Sequence, residues 1–244
     1  MEKYRILYED KELLVVWKPS GTAVQSARVS EPDIMSMLQN RGMERDGKDP
    51  CLKLVNRLDQ PVEGIFLVAK TGRAAAELCR QAGGHIHMEK WYQAVVCGKL
   101  PEKKGALVDN LLKDGRTNTS RVVPAGTKGA KRCELSYEML EEREGRSLLK
   151  IRLLTGRHHQ IRVQLAHAEA PIAGDRKYGK AESGCGQLCL CACGIKFVHP
   201  VTKEKMEFQV EPTFLAQESG TGCFKGSGYS FGNRTVPVQP TAPG

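Results

Sequence analysis

The stretch that decides how this chain is interpreted reads Asn56-Arg57-Leu58-Asp59-Gln60-Pro61-Val62-Glu63-Gly64 and continues as Ile65-Phe66-Leu67-Val68-Ala69. Asp59 precedes a turn signal of proline and glycine, and the apolar run behind it is typical of a buried strand. A carboxylate at such a corner is accessible for chemistry and is held in place by the strand. An aspartate at a turn is most often only a turn former, so the interpretation depends on the other motifs of the chain.

The composition is that of a basic protein. Among 244 residues, 37 Lys and Arg outnumber 28 Asp and Glu, which gives a net charge of +9. This excess favours a polyanionic partner, because each phosphate contact releases condensed counterions, although a basic charge can also serve solubility alone. No apolar run approaches the roughly 20 residues of a membrane span, and the first residues lack the apolar region of a signal peptide. We therefore expect a cytoplasmic protein without membrane contact.

Hydrophobic periodicity predicts a mixed α/β chain without internal repeats. Residues 4–18 are predicted to form a strand, a charged turn and a second strand. Helices are predicted over 31–41 with Ser30 as cap, over 72–82 with Thr71 as cap, and over 158–168. Further strands are predicted over 90–97, 133–140, 148–154 and 206–210. From about residue 216 the composition turns to Gly, Ser, Thr and Pro, which predicts a disordered tail over 216–244.

A second motif with chemical meaning is Leu154-Thr155-Gly156-Arg157-His158-His159-Gln160-Ile161-Arg162. Its pattern predicts a strand that ends at Gly156 and a helix that buries Ile161. Arg162 then lies at the edge of the buried face, where a guanidinium can reach a carboxylate of another element and keep it ionised. The alternative is a solvated arginine that covers apolar neighbours.

A third motif is Lys90-Trp91-Tyr92-Gln93-Ala94. Strand alternation places Lys90, Tyr92 and Ala94 on one face. A tyrosine there offers an aromatic face and a hydroxyl to a base, but ordinary core tyrosines are common in strands. Two weaker segments, Lys18-Pro19-Ser20-Gly21 and the loop from Pro171 to Gly179, are interpreted as mainly structural.

Taken in order, these motifs resemble the signature of RluA-type pseudouridine synthases over residues 4 to about 212. The chain departs from the family at Asn56, where a histidine is usual, and at Val62-Glu63, where Thr-Ser is usual. The resemblance implies an α/β (α+β) fold, with a single catalytic domain over 1–215, a mixed, mostly antiparallel sheet and a central cleft. Many members also carry a small N-terminal RNA-binding module, and we expect none here.

The resemblance implies that the protein isomerises specific uridines of structured RNA, either rRNA or tRNA, to pseudouridine as a monomer and without a cofactor. Asp59 would act as a nucleophile at the anomeric carbon or as a base at the neighbouring ribose carbon, and the sequence does not choose between them. Arg162 would pair with Asp59, and Tyr92 would stack on the target uracil. The residues expected to contact RNA are Arg57, Lys90, Arg157, His159 and Gln160. Arg57 would fill the gap left by a flipped nucleotide, and a structural ion pair is its alternative role.

Two other functions stay open. Glu63 adds a negative charge four residues from Asp59, which motivates a catalytically weak RNA-binding paralogue. A hydrolase of small N-nucleosides could use Asp59 and Glu63 as paired carboxylates, although the basic charge and the motif around Arg162 disfavour it. We expect Glu63 to point away from the cleft or to pair with a Lys or Arg, which would leave Asp59 ionised.

The nine cysteines include a cluster at Cys185, Cys189, Cys191 and Cys193. Structural zinc sites usually arrange their cysteines in two closely spaced pairs, whereas these alternate with apolar residues as in a strand. We therefore expect reduced thiols in a core strand and no metal.

Overall fold

The structure is a computed structural model that describes residues 3–26, 33–47, 50–84, 87–179 and 185–215. Within these residues, eleven strands form one sheet. The strands are β1 (Arg5–Glu9), β2 (Leu13–Lys18), β3 (Lys53–Leu54), β4 (Glu63–Ala69), β5 (Glu89–Cys97), β6 (Lys104–Asp114), β7 (Thr119–Val122), β8 (Lys131–Arg143), β9 (Arg146–Leu153), β10 (Leu190–Val198) and β11 (Lys205–Gln209). The strand order is β1-β2-β4-β10-β5-β9-β8-β6-β7, while β3 pairs with β4 and β11 with β10.

The sheet is mixed and mostly antiparallel, as the family resemblance implies. Among the described strands, the parallel pair is β4 with β10, where Glu63 faces Cys191 and Gly64 faces Ala192. A Cβ atom at Gly64 would lie 2.4 Å from the carbonyl oxygen of Ala192, and its φ is +124°. A glycine at this position therefore lets β4 approach β10 directly behind the turn that carries Asp59.

Strand β4 is apolar throughout because both of its faces are buried. Phe66 and Val68 belong to one apolar cluster, and Ile65 and Leu67 belong to a second cluster. Successive side chains of a strand point to opposite faces, so this division follows directly from the alternation. The buried strand fixes the position at which the preceding turn emerges.

Three helices pack on this sheet within the described residues: α1 (Ile34–Asp46), α2 (Gly72–Gly84) and α3 (Gln160–His167). The expected cap of α2 is confirmed, because the Thr71 hydroxyl accepts a hydrogen bond from the Ala74 amide at 3.1 Å. The expected cap of α1 at Ser30 is wrong. Asp33 caps this helix by accepting from the Ser36 amide at 2.7 Å, and Ser30 itself lies outside the described residues.

Helix α3 begins two residues later than predicted. His159 adopts a left-handed conformation with φ of +53°, and the helix starts at Gln160. Left-handed backbone is uncommon for residues other than glycine, and here it occurs at the residue directly before the helix.

No helix in the described part of the chain is long and apolar enough to cross a bilayer. The expected tail over 216–244 lies outside the described residues. The last described element is a short 3₁₀ turn, Thr213–Leu215, whose Phe214 is buried in the larger apolar cluster.

Candidate active site

A cleft of about 660 Å³ opens on the turn before β4. Its walls come from this turn, the C-terminal end of α2, strand β5 and the segment that enters α3. All eight residues that the sequence predicts for the site line this cleft: Arg57, Asp59, Lys90, Tyr92, Arg157, His159, Gln160 and Arg162. Residues separated by more than 100 positions in the chain therefore share one surface.

The turn that carries Asp59 is fixed by backbone groups. The Val62 amide donates to the Asp59 carbonyl at 3.0 Å, and the Gly21 amide donates to the Gln60 carbonyl at 3.0 Å. The side chain of Asp59 remains 29% exposed, so a ligand in the cleft can reach it.

Lys18 strengthens the same turn from inside the protein. Its fully buried ammonium donates to the carbonyls of Pro19 at 3.1 Å, Thr22 at 2.9 Å and Gln60 at 3.0 Å. Burial lowers the pKa of Lys18 to about 8, against the opposing charges of Asp59 and Glu63. The structure thus places the Lys18-to-Gly21 segment behind the cleft, where it supports the turn.

Arg162 contacts two carboxylates at once. Its Nε and Nη2 each donate to Asp175 at 2.8 Å, and its Nη1 lies 3.3 Å from Oδ2 of Asp59. The proximity of Arg162 to Asp59, predicted across 103 positions, is therefore present. The two-point pair with Asp175 fixes the plane of the guanidinium and leaves one nitrogen directed at Asp59.

Asp175 was not predicted to belong to the site. Its side chain is 1% exposed, and it also accepts from the amides of Lys177 and Tyr178. Burial alone would raise the pKa of Asp175, but the hydrogen bonds and charge of Arg162 hold it below its usual range. The Pro171-to-Gly179 motif was a signal for this role, because it places an aspartate between two glycines in a tight loop.

His159 is a second neighbour of Asp59. Its Nε2 lies 3.5 Å from Oδ2 of Asp59, and its side chain is 7% exposed. Its Nδ1 lies 2.6 Å from the hydroxyl of Tyr178. Burial lowers the pKa of His159 to about 4, although the charge of Asp59 acts in the opposite direction. The ring is therefore neutral near pH 7, and Tyr178 is a further site residue that sequence reasoning missed.

Lys90 and Tyr92 share the cleft face of β5, as alternation predicts. Tyr92 is 7% exposed, and burial raises the pKa of its phenol, with Asp59 adding to the effect. It therefore remains protonated near neutral pH. Lys90 is 8% exposed, burial lowers its pKa, and the described residues offer it no hydrogen-bond or ion-pair partner.

Two further residues that are predicted to contact RNA differ in the bonds that they make within the protein. Arg57 is exposed and has no ion pair among the described residues, which leaves it available to a ligand. Arg157 is also exposed, and its Nε donates to the carbonyl of Arg132 at 3.1 Å.

The side-chain amide of Gln160 makes all of its hydrogen bonds within the protein. Its Oε1 accepts from Thr155 Oγ1 at 2.7 Å and from the Arg157 amide at 3.0 Å, and its Nε2 donates to the Glu134 carbonyl and to Gln164. These four bonds use both amide hydrogens and both oxygen lone pairs. Gln160 therefore braces the loop before α3.

The two departures from the family signature have structural roles. Asn56 accepts a hydrogen bond from the Leu67 amide at 2.9 Å through its Oδ1. Glu63 is 1% exposed and is absent from the lining of the cleft. Its carboxylate accepts from both the amide and the hydroxyl of Thr213. As expected, Glu63 does not share the cleft with Asp59.

The expected core strand in the cysteine cluster is present. Cys191 and Cys193 lie within β10 and Cys189 directly before it, and Cys189 and Cys191 are fully buried. Burial raises the pKa of all three thiols. They therefore pack as small apolar side chains behind the cleft. Cys185, by contrast, is disulfide-bonded, so the expectation of reduced thiols is wrong at this position.

The chain is similar to known proteins over most of its length. The sequence profile described as RNA pseudouridylate synthase matches residues 12–167. The ribosomal large subunit pseudouridine synthase C of Yersinia pestis is 36% identical over 211 residues, which are 84% of this chain and 64% of that protein. Its counterpart in Escherichia coli K12 is 34% identical over 216 residues, 84% of this chain and 65% of that protein.

The chain thus spans about 64% of the length of the curated relatives that it matches. Among solved structures, human RNA pseudouridylate synthase domain containing 1 superimposes with a TM-score of 0.68 and 23% identity, covering 88% of this chain and 85% of the other. Human RNA pseudouridylate synthase domain containing 4 gives a TM-score of 0.68 and 21% identity, with coverages of 85% and 88%. At these identities the two structures support the fold alone.

Proposed function

Because the chain belongs to the RNA pseudouridylate synthase family, we propose that it isomerises uridine to pseudouridine in structured RNA. The observation that carries the proposal is the accessible carboxylate of Asp59, with Arg162 Nη1 3.3 Å from its Oδ2 in a cleft that also contains Tyr92. The names of the relatives favour ribosomal RNA over transfer RNA as the substrate.

The chemistry requires a carboxylate, a base-stacking surface and no added cofactor. The glycosidic bond from carbon 1′ to nitrogen 1 breaks, the uracil rotates, and a bond from carbon 1′ to carbon 5 forms. Asp59 acts as the nucleophile at carbon 1′ or as the base at carbon 2′. Arg162 Nη1 lies 3.3 Å from the carboxylate and orients it for either role.

The size of the cleft supports an extruded nucleotide. Enzymes that work on a base take it out of the stack into a pocket, and about 660 Å³ is within the usual range for ligand sites. Tyr92 offers its ring to the uracil as a stacking surface. Arg57 enters the gap that the extruded base leaves.

The RNA backbone is bound by cations around the cleft. Lys90 is a nearly buried ammonium without an anionic partner among the described residues, and such a charge is costly unless a ligand neutralises it. Arg157 adds an exposed guanidinium at the rim. Gln160 contributes indirectly, because it braces the loop that presents Arg157.

The catalytic unit that we propose ends near residue 215, where Phe214 completes the apolar core. We further propose that it acts as a monomer in the cytoplasm, where its RNA is found. Light scattering coupled to gel filtration tests the oligomeric state, because a dimer would have twice the chain mass of 26.9 kDa.

The direct test uses RNA labelled with tritium at carbon 5 of uridine. Isomerisation releases this tritium to water, and nuclease digestion followed by chromatography identifies pseudouridine. We expect both signals with ribosomal RNA. Failure of cellular ribosomal and transfer RNA to give either signal would contradict the proposal.

Two comparisons separate the rival functions. A nucleoside hydrolase would release free uracil from uridine, whereas a synthase releases none. Such a hydrolase would also need a second carboxylate in the cleft, and Glu63 is buried away from it. A binding-only paralogue would be inert on RNA as the natural protein and active as Glu63→Ser. We expect the natural protein to be active.

A further inference from the structure

The side chain of His159 is held in one orientation by its surroundings. Its ring stacks on His158 with a centroid separation of 3.7 Å and an angle of 26° between planes. The ring of Tyr178 meets it edge-on at 5.5 Å. His158 is itself fixed, because its Nδ1 lies 2.9 Å from the hydroxyl of Ser120. An imidazole packed in this way has little freedom to flip.

The hydrogen bonds around Tyr178 determine which nitrogen of His159 carries the proton. The Ser120 amide donates to the Tyr178 hydroxyl at 2.8 Å, so this oxygen already serves as an acceptor. Its single hydrogen is then available to Nδ1 of His159, 2.6 Å away. A neutral imidazole that accepts at Nδ1 carries its hydrogen on Nε2.

The surroundings also favour the neutral ring. Burial is the main cause that lowers the pKa of His159 to about 4, and the charges of Arg162 on α3 and Lys177 on the neighbouring loop act in the same direction, as does His158. Asp59 opposes them. Near pH 7 the ring therefore presents one hydrogen, on Nε2, and no charge.

The two oxygens of Asp59 have different environments. Oδ2 faces Arg162 Nη1 at 3.3 Å and His159 Nε2 at 3.5 Å. Among the described residues, Oδ1 has no hydrogen-bond or ion-pair partner. The carboxylate is therefore held through one oxygen, and the other is left for a ligand.

We propose that Tyr178 and His159 position the catalytic carboxylate: Tyr178 fixes the tautomer of His159, whose Nε2 hydrogen faces Oδ2 of Asp59 across 3.5 Å and favours the orientation that presents Oδ1 to the ribose. This inference rests on the proposed isomerase activity. It makes His159 a positioning residue that acts through Asp59, in place of the RNA contact that the sequence predicts.

The first test requires no activity. Nitrogen-15 NMR of the free protein, through two-bond correlations of the imidazole, reports which nitrogen of His159 is protonated. We expect a neutral ring with its hydrogen on Nε2 at pH 7, and a mixture of tautomers in Tyr178→Phe, which keeps the aromatic ring and loses the hydroxyl.

Ser120→Ala is the matched control, because it removes the bond to His158 but keeps the backbone amide that binds Tyr178. We expect the tautomer of His159 to be unchanged in this variant. A hydrogen on Nδ1, or a charged ring at pH 7 in the natural protein, would overturn the proposal.

The second test separates positioning from RNA binding. We expect Tyr178→Phe and His159→Leu to lower kcat by up to about 100-fold, the scale of a small misplacement of a reacting group, with little change in KM. His159→Gln places an amide hydrogen near the position of Nε2 and should recover part of kcat, provided that thermal unfolding shows all variants folded. A rise in KM with kcat unchanged would make His159 an RNA contact and refute the positioning role. If the natural protein isomerises no RNA, the NMR result still decides whether Tyr178 fixes the tautomer of His159.

Discussion

Asp59 and Glu63 lie four residues apart on one segment, and the fold gives their carboxylates opposite environments. Asp59 is 29% exposed and faces Arg162 and His159 across a cleft. Glu63 is 1% exposed and bonds to Thr213 behind that cleft. The turn between them, closed by the hydrogen bond from Val62 to Asp59, is enough to separate an accessible acid from a structural one.

The cations of the two regions differ in the same way. Lys18, which lies behind the cleft and supports the turn of Asp59, donates its ammonium hydrogens to three backbone carbonyls. Lys90, in the wall of the cleft, has no such partner among the described residues. Of these two lysines, only Lys90 therefore indicates a ligand site, because the protein leaves the hydrogen-bond donors of its ammonium group unused.

The largest loss of stability and turnover is expected from Arg162→Ala, which removes the cation that faces Asp59 in the cleft. The change leaves Asp175 buried without its partner, and breaking a buried pair costs about 3–5 kcal/mol. It also leaves Asp59 without its nearest cation, so turnover should fall strongly. Urea denaturation and tritium release measure the two losses.

Two other variants show whether that loss of stability comes from the buried pair of Arg162 with Asp175. Arg162→Lys keeps the charge but cannot bond Asp175 at two points, so it should recover only part of the stability. Arg80→Ala removes an exposed arginine that pairs with Glu77 on α2, and its free energy of unfolding should be nearly unchanged. Equal effects of Arg162→Ala and Arg80→Ala would contradict the buried pairing.

A smaller effect, on the pH dependence of stability, is expected from Glu63→Gln, which changes the buried carboxylate behind the cleft. Burial raises the pKa of Glu63, although Thr213 and Lys18 oppose the shift. A raised pKa in the fold means that Glu63 stabilises the protein below its ordinary pKa of about 4.5, and this contribution is lost as the pH rises through the folded pKa. The stability of the natural protein relative to Glu63→Gln should therefore decline from pH 4.5 upward in urea titrations.

The matched control is Glu77→Gln on α2. Hydrogen bonds from Arg80 and Gln81 lower the pKa of Glu77 to about 2. Its contribution is therefore present above the ordinary pKa and is lost as the pH falls toward 2. Parallel pH curves for the two variants would contradict the difference between a fully buried carboxylate and a partly exposed one.

The smallest effect is expected in the salt dependence of RNA binding by Lys90→Ala. If the unpaired ammonium of Lys90 neutralises one phosphate, its loss should reduce the log–log slope by about 0.7, the value for single strands. Lys104→Ala is the control, since Lys104 pairs with Glu138 on the outer strands. A slope unchanged in Lys90→Ala would remove Lys90 from the RNA contacts.

The sequence predicted what local pattern determines. The buried run 65–69, the cap at Thr71 and the shared face of Lys90 and Tyr92 all follow from alternation or capping chemistry, and the structure has each of them. The choice of Asp33 over Ser30 as the cap of α1 could not be predicted, because both residue types cap helices. Asp33 is selected by a tertiary contact, since it also accepts from the amide of Ser26.

The parts that sequence reasoning missed depend on tertiary packing. Strands β6 and β7 lie at one end of the sheet, where many side chains face solvent and apolar alternation is weak. The sequence predicts eight residues of the site, but the site also includes Asp175 and Tyr178 from a later loop. Only the folded chain reveals that this loop fixes the guanidinium and the imidazole that face Asp59.

We propose that Asp59, and not Glu63, carries the chemistry. The most direct test of this proposal measures single-turnover tritium release from the same labelled ribosomal RNA by the natural protein, Asp59→Asn and Glu63→Gln, with circular dichroism and RNA binding as controls of folding. We predict that Asp59→Asn loses at least about 100-fold in rate, as expected when a positioned acid or base is removed, while still binding RNA, and that Glu63→Gln keeps most of the natural rate. Substantial turnover by folded Asp59→Asn would contradict the account.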